Sequence, residues 1–159
     1  MSLHALSGCD STDRLLGKRK KSWMTAFIEC TEKELEALLS LQTEYPLVHI
    51  AELEELICKL YSKNEYVKTF AVARYHVYTQ NGHQTGKLPP TSSTFKQVAL
   101  RAHCQLRAWA LSDVSIQTLP NPEDCGWYLA DGTFYMPETY DGKIAPDDIM
   151  MLIRSKRTL

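Results

Sequence analysis

Apolar residues recur at spacings of three and four over most of the chain, the period of one face of an α-helix. Thr31-Glu-Lys-Glu34 has the capping-box pattern, and Leu35, Leu38 and Leu39 follow it on one face. This predicts a helix over about 31–43, stopped by Pro46. Ile50, Leu53, Leu56, Ile57 and Leu60 stripe a second helix, with Glu52, Glu54 and Glu55 mostly on its wet side. Residues 67–78 carry Phe70, Val72, Ala73 and Val77 and read as helix rather than strand. Asn81-Gly82 and the Gly86-Lys-Leu-Pro89-Pro90 run mark a loop. Thr91-Ser-Ser-Thr94 offers caps for the strongest helix, in which Phe95, Val98, Ala102, Leu106 and Trp109 face a core while Lys96, Arg101 and Arg107 spread over the remaining surface.

The period changes after Pro122. Trp127 to Met136 reads as two short strands around an Asp131-Gly132 turn, closed by Pro137, with rings expected to pack against the helix from Phe95 to Trp109. Pro146-Asp-Asp fits the first turn of a last short helix bearing Ile149, Leu152 and Ile153. At the other end, Ser11 or Thr12 is placed to cap a short helix that Gly17 closes, and Trp23, Phe27 and Ile28 open an apolar face after it. The chain therefore reads as mainly α. Residues 1–30 form a helix-hairpin-helix-like N-terminal element, and residues 31–159 a mainly helical C-terminal region with one small β-hairpin.

Between the first two helices stand Lys18, Arg19, Lys20 and Lys21. A sharp turn at Gly17 followed by four cations suits a backbone held against phosphates. The same tetrad fits a nuclear-import address or a plain exposed turn. The net charge of −1 hides strong segmentation: residues 67–111 hold six cations and no acid, between two acidic blocks. The blocks either complement one another within the fold or combine the basic stretches into one phosphate-facing surface. Tyr66, Arg74, Tyr75 and Tyr78 interleave rings and charge, with most of the rings expected in the core. Five widely spaced cysteines without a Cys-x-x-Cys pair argue against a disulfide framework or zinc knuckle and for a reducing, intracellular compartment. No apolar run of about 18 residues is present, so no membrane-spanning helix is expected. The histidines show no metal-ligand spacing, and Asp10 is the one residue that connects with catalysis, its bland alternative being a turn or cap residue.

Gly8-Cys9-Asp10, with Leu15, Gly17 and Lys21 at their spacings, resembles the motif that opens the helix-hairpin-helix of flap endonuclease-like (PIN-like) nucleases. The longer string from His4 to Asp10 is more similar still to a group of animal proteins associated with mobile elements. So are Leu88-Pro-Pro-Thr91 leading into Arg101-Ala-His103, and Gly126-Trp127 followed by Asp131-Gly132 and Ala145-Pro146. The resemblance implies a magnesium ligand at Asp10 and a duplex grip by Gly17, Lys18, Arg19, Lys20 and Lys21. Two departures stand out. Arg19 occupies the place of the family's second hairpin glycine, and the family's other acids lie upstream of the motif, where nine residues precede Asp10 here. The expectation is a nucleic-acid-binding C-terminal part of such a nuclease, meeting duplex or branched DNA. It would bind magnesium only together with upstream acids and would be inactive alone. The alternative is a degenerate, mobile-element-derived module that meets a protein partner.

Overall fold

The computed structural model describes residues 1–139 apart from 10, 11, 13, 16, 81–84, 86, 87 and 117. Asp10, the Asn81-Gly82 loop and the helix expected after Pro146 lie outside the described residues. Among the described residues six α-helices run in order: α1 (Ser2–Leu6), α2 (Lys20–Ile28), α3 (Glu32–Ser40), α4 (Ile50–Cys58), α5 (Phe70–Gln80) and α6 (Ser92–Ala110). A 3₁₀ turn (Pro122–Cys125) and an antiparallel hairpin of β1 (Trp127–Ala130) and β2 (Phe134–Pro137) follow. The protein is thus mainly helical, with a two-stranded hairpin towards its C-terminus.

Local chemistry sets most boundaries. The capping box at α3 is complete: Thr31 Oγ1 accepts from the Glu34 N–H, and the Glu34 carboxylate accepts from the Thr31 N–H. Thr91 caps α6 in the same way through the Thr94 N–H. The hairpin turns through Asp131 and Gly132, both left-handed, and pairs Ala130 with Phe134 and Trp127 with Pro137.

α6 is the scaffold on which α1, α4 and the 3₁₀ turn pack. Its Phe95, Val98, Ala102 and Leu106 are buried, and Phe95 meets Phe70 of α5 edge-on at 5.1 Å. Leu53, Leu56 and Ile57 from α4, Leu38 from α3, Trp23 and Ala26 from α2, and Ala5 and Leu6 from α1 complete one continuous core. That core crosses residue 30, so the N-terminal element and the helical region after it share their apolar interior.

Several expectations need correction. Arg14 and Leu15 are not helical, so the helix expected between Thr12 and Gly17 is not formed there. The first helix lies before Gly8 instead, and Thr12 spends its hydroxyl on α1 by donating to the Ala5 carbonyl. On α2, Trp23 is buried but Ile28 is 76% exposed, and on α3 Leu35 and Leu39 are exposed while Ala37 and Leu41 fill the core. Each helix has about one buried stripe, and the other apolar positions look outward. Tyr66 and Tyr75 are exposed rather than core rings. Glu54 is only half exposed, because its carboxylate accepts from the Phe70 N–H at the head of α5 and from Ser92 Oγ. Of the hairpin rings only Trp127 meets α6, half buried with the Arg101 guanidinium 5.9 Å from its ring centre, whereas Tyr128, Phe134 and Tyr135 face solvent.

Arg101 explains how the hairpin is held. It was expected on the surface, yet it is 3% exposed. Its Nη1 donates to the carbonyls of Gly126 and Glu138, each at 2.7 Å, which ties the entry and exit of the hairpin to α6. Gly126 has φ +76°, and a Cβ there would lie 2.7 Å from the Gln97 carbonyl oxygen. Glycine alone permits both the turn and this approach.

Candidate nucleic-acid interface

The segment from Ser7 to Arg19 connects α1 to α2, and its backbone is shaped by two glycines with opposite surroundings. Gly8 has φ +93°, and a Cβ there would fall 2.3 Å from Arg14 Cγ. Gly17 has φ +75° and open space where its Cβ would be. The first glycine folds the connection back on itself, and the second turns it outward at the solvent edge.

The four cations after Gly17 divide into two pairs. Lys18 Nζ donates to the Leu60 carbonyl at 2.6 Å and sits 4.0 Å over the Tyr61 ring. Lys20 Nζ donates to Ser7 Oγ at 2.7 Å and the Gly8 carbonyl at 2.6 Å, and it also reaches the His4 carbonyl and Nδ1. It thereby closes the C-terminal end of α1, where carbonyls are left over and a cation is favoured. Burial lowers the pKa of both amines, and at Lys20 the Arg14 charge adds to the lowering while Cys9 opposes it. The His4 ring stacks on Trp109 of α6 at 5.6 Å, so α1 is pinned on both sides.

Arg19 and Lys21 are the other pair, and both side chains are exposed. Arg19 is the extended N-cap residue of α2, and Lys21 lies in the first turn. No side chain caps that helix end, and its first turn holds no acid. The N-terminal dipole of α2 and two outward cations therefore coincide, an arrangement that favours an anion. Gly17, Lys18, Arg19, Lys20 and Lys21 are thus neighbours, but their roles differ: one turn residue, two amines bound within the fold (Lys18 half-buried, Lys20 exposed) and two outward charges.

Asp10 lies outside the described residues. Among the described residues, no three His, Cys, Asp or Glu side chains come together as a group that could hold a metal ion. His103 is a core histidine, 8% exposed, with Nδ1 2.9 Å from the Leu41 carbonyl. No described helix is long and apolar enough to cross a membrane.

Three features were not foreseen. A groove of about 400 Å³ runs between α1, α2 and α3, with Met24, Phe27, Leu35 and Leu39 along it and Trp23 at its base. The Trp23 indole N–H is buried without a hydrogen-bond partner among the described residues. Arg101 could have been placed from its position, three residues after Val98 on the core stripe. Compared with protein-family models, curated proteins and solved structures, the chain matches none.

Proposed function

We propose that this protein binds the backbone of duplex DNA through the turn at the head of α2, with Arg19 and Lys21 as the phosphate contacts. The observation that carries this is the coincidence of the uncapped α2 N-terminus, the open turn at Gly17 and two exposed cations that the fold does not consume. From Arg14 to Ile28 the sequence has five cations and no acid, so nothing in that stretch opposes an approaching phosphate. Lys18 and Lys20 support the surface by fixing the connection to Leu60 and to α1. Cleavage is not part of the proposal. A two-metal site shares several acids, and Asp10 is the one acid that the motif supplies.

Backbone binding carries no base information. Duplexes of equal length and unrelated sequence should therefore bind with equal affinity, and binding should weaken steeply as salt rises. Strong preference for one duplex, or affinity that is flat in salt, would overturn the proposal. The groove between α1, α2 and α3 favours a second function, in which its exposed apolar side chains meet a protein partner. That function predicts no salt-dependent shift of duplex DNA.

A further inference from the structure

A cavity of about 870 Å³ opens between α6, the connection from α3 to α4 and the 3₁₀ turn. Its volume is that of a small-ligand pocket. Leu100, His103 and Arg107 reach it from α6, at the three- and four-residue spacing that puts side chains on one helix face. Glu44 and Leu47 line it from the connection, and Pro120 and Asp124 from the segment after α6. Among the described residues Arg107, Glu44 and Asp124 take part in no ion pair, although Arg107 is half buried. Charges of both signs therefore line one cavity without neutralising each other. His103 adds a fixed polar group, 8% exposed. Its Nδ1 lies 2.9 Å from the Leu41 carbonyl, which can only accept, so Nδ1 carries the proton. In the neutral ring Nε2 is then an acceptor, and no described group bonds to it.

We propose that this cavity binds a short apolar peptide with free termini, its carboxylate on Arg107 and its ammonium on His103 Nε2 and the carboxylates of Glu44 and Asp124. A half-buried guanidinium gains most from a carboxylate, which it grips through two parallel N–H donors. One cation against two acids leaves the lining acidic on balance, so a simple anion meets more repulsion than attraction. A simple cation leaves Arg107 without a counter-charge. A zwitterion meets its complement at both ends, and Leu47, Leu100 and Pro120 give its side chains an apolar wall. The volume suits two or three residues better than a single amino acid. None of the residues from Gly17 to Lys21 lines this cavity, so its ligand is separate from any phosphate at the head of α2.

The test is a nuclear magnetic resonance titration of the full-length chain with the dipeptide leucyl-phenylalanine and with its N-acetylated and C-amidated forms, each of which lacks one charge. Backbone signals from 44–48 and 100–107 should shift saturably at millimolar free dipeptide, and the His103 Cε1–H signal should shift with them. Each capped form should bind about tenfold more weakly, the effect of losing one charge-assisted contact. Arg107→Gln should weaken the free dipeptide to the level of the amide and should no longer distinguish the two. Absence of a saturable shift at these residues would overturn the proposal. Equal affinity for the free and capped dipeptides would overturn it as well, since apolar contact alone would then account for binding. A folded Arg107→Gln chain that still discriminates against the amide would overturn the placing of the carboxylate. Should that variant not fold, the capped dipeptides on the wild-type chain decide.

Discussion

Glu34 shows how a nearly buried charge is held in place. At 4% exposure its carboxylate receives the Lys59 ammonium at 2.6 Å, the Thr31 N–H at 2.7 Å and the Thr31 hydroxyl at 3.1 Å. Burial alone would raise its pKa, but the hydrogen bonds from Lys59 and Thr31, with the Lys59 charge, outweigh that and leave it below the unperturbed value of 4.5. A carboxyl depressed in the folded state contributes fully above its unfolded pKa, and the contribution is lost as pH falls through the folded pKa. Glu34→Ala removes half of the capping box and strips Lys59 of its carboxylate partner, which should cost about 2 kcal/mol at neutral pH. Denaturant melts should show that gap narrowing below pH 4.5, the unperturbed value. A gap that stays constant into strong acid would contradict this account of the site.

Among the elements, those with strong local chemistry were legible in the sequence. The caps at Thr31 and Thr91 and the Asp131-Gly132 turn name their partners within three residues, and the structure forms all three. What could not be read locally is tertiary. Glu54 caps α5 from 16 residues away, and Thr12 serves α1 rather than a helix of its own. The hairpin is the clearest case. Its strands were predictable, but apart from Trp127, which lies against Arg101, its rings face solvent and do not attach it. Arg101 holds it, and although its place on the core stripe of α6 marks it as buried, nothing in the sequence names the two carbonyls it binds. Arg101→Leu should therefore leave two carbonyls with their donor removed and cost about 3 kcal/mol. Amide exchange should accelerate in 127–137 while the middle of α6 stays protected. Unchanged protection in the hairpin would show that the 3₁₀ turn alone suffices to hold it.

For the molecule as a whole, the candidate interface was half legible. The basic tetrad is evident in sequence, yet four adjacent cations look equivalent there, and long-range contacts decide which are spent. Lys18 is committed to Leu60 and Tyr61, 42 and 43 residues away, and Lys20 to the end of α1. Lys20 is exposed as Arg19 and Lys21 are, but its amine is spent on those contacts. Substituting the two pairs should therefore have different effects. Lys18→Ala and Lys20→Ala should each cost about 1 kcal/mol of stability through lost hydrogen bonds. Arg19→Ala with Lys21→Ala should leave the melt nearly unchanged and act on binding, because exposed charges contribute little to folding. The direct measurement is the salt dependence of duplex DNA affinity for the wild type and the Arg19→Ala, Lys21→Ala double variant, with folding confirmed by circular dichroism. Phosphate binding at the head of α2 predicts that the slope of log K against log salt falls by about 2, one unit for each lost contact, on every duplex sequence tried. A folded double variant with the wild-type slope would contradict it.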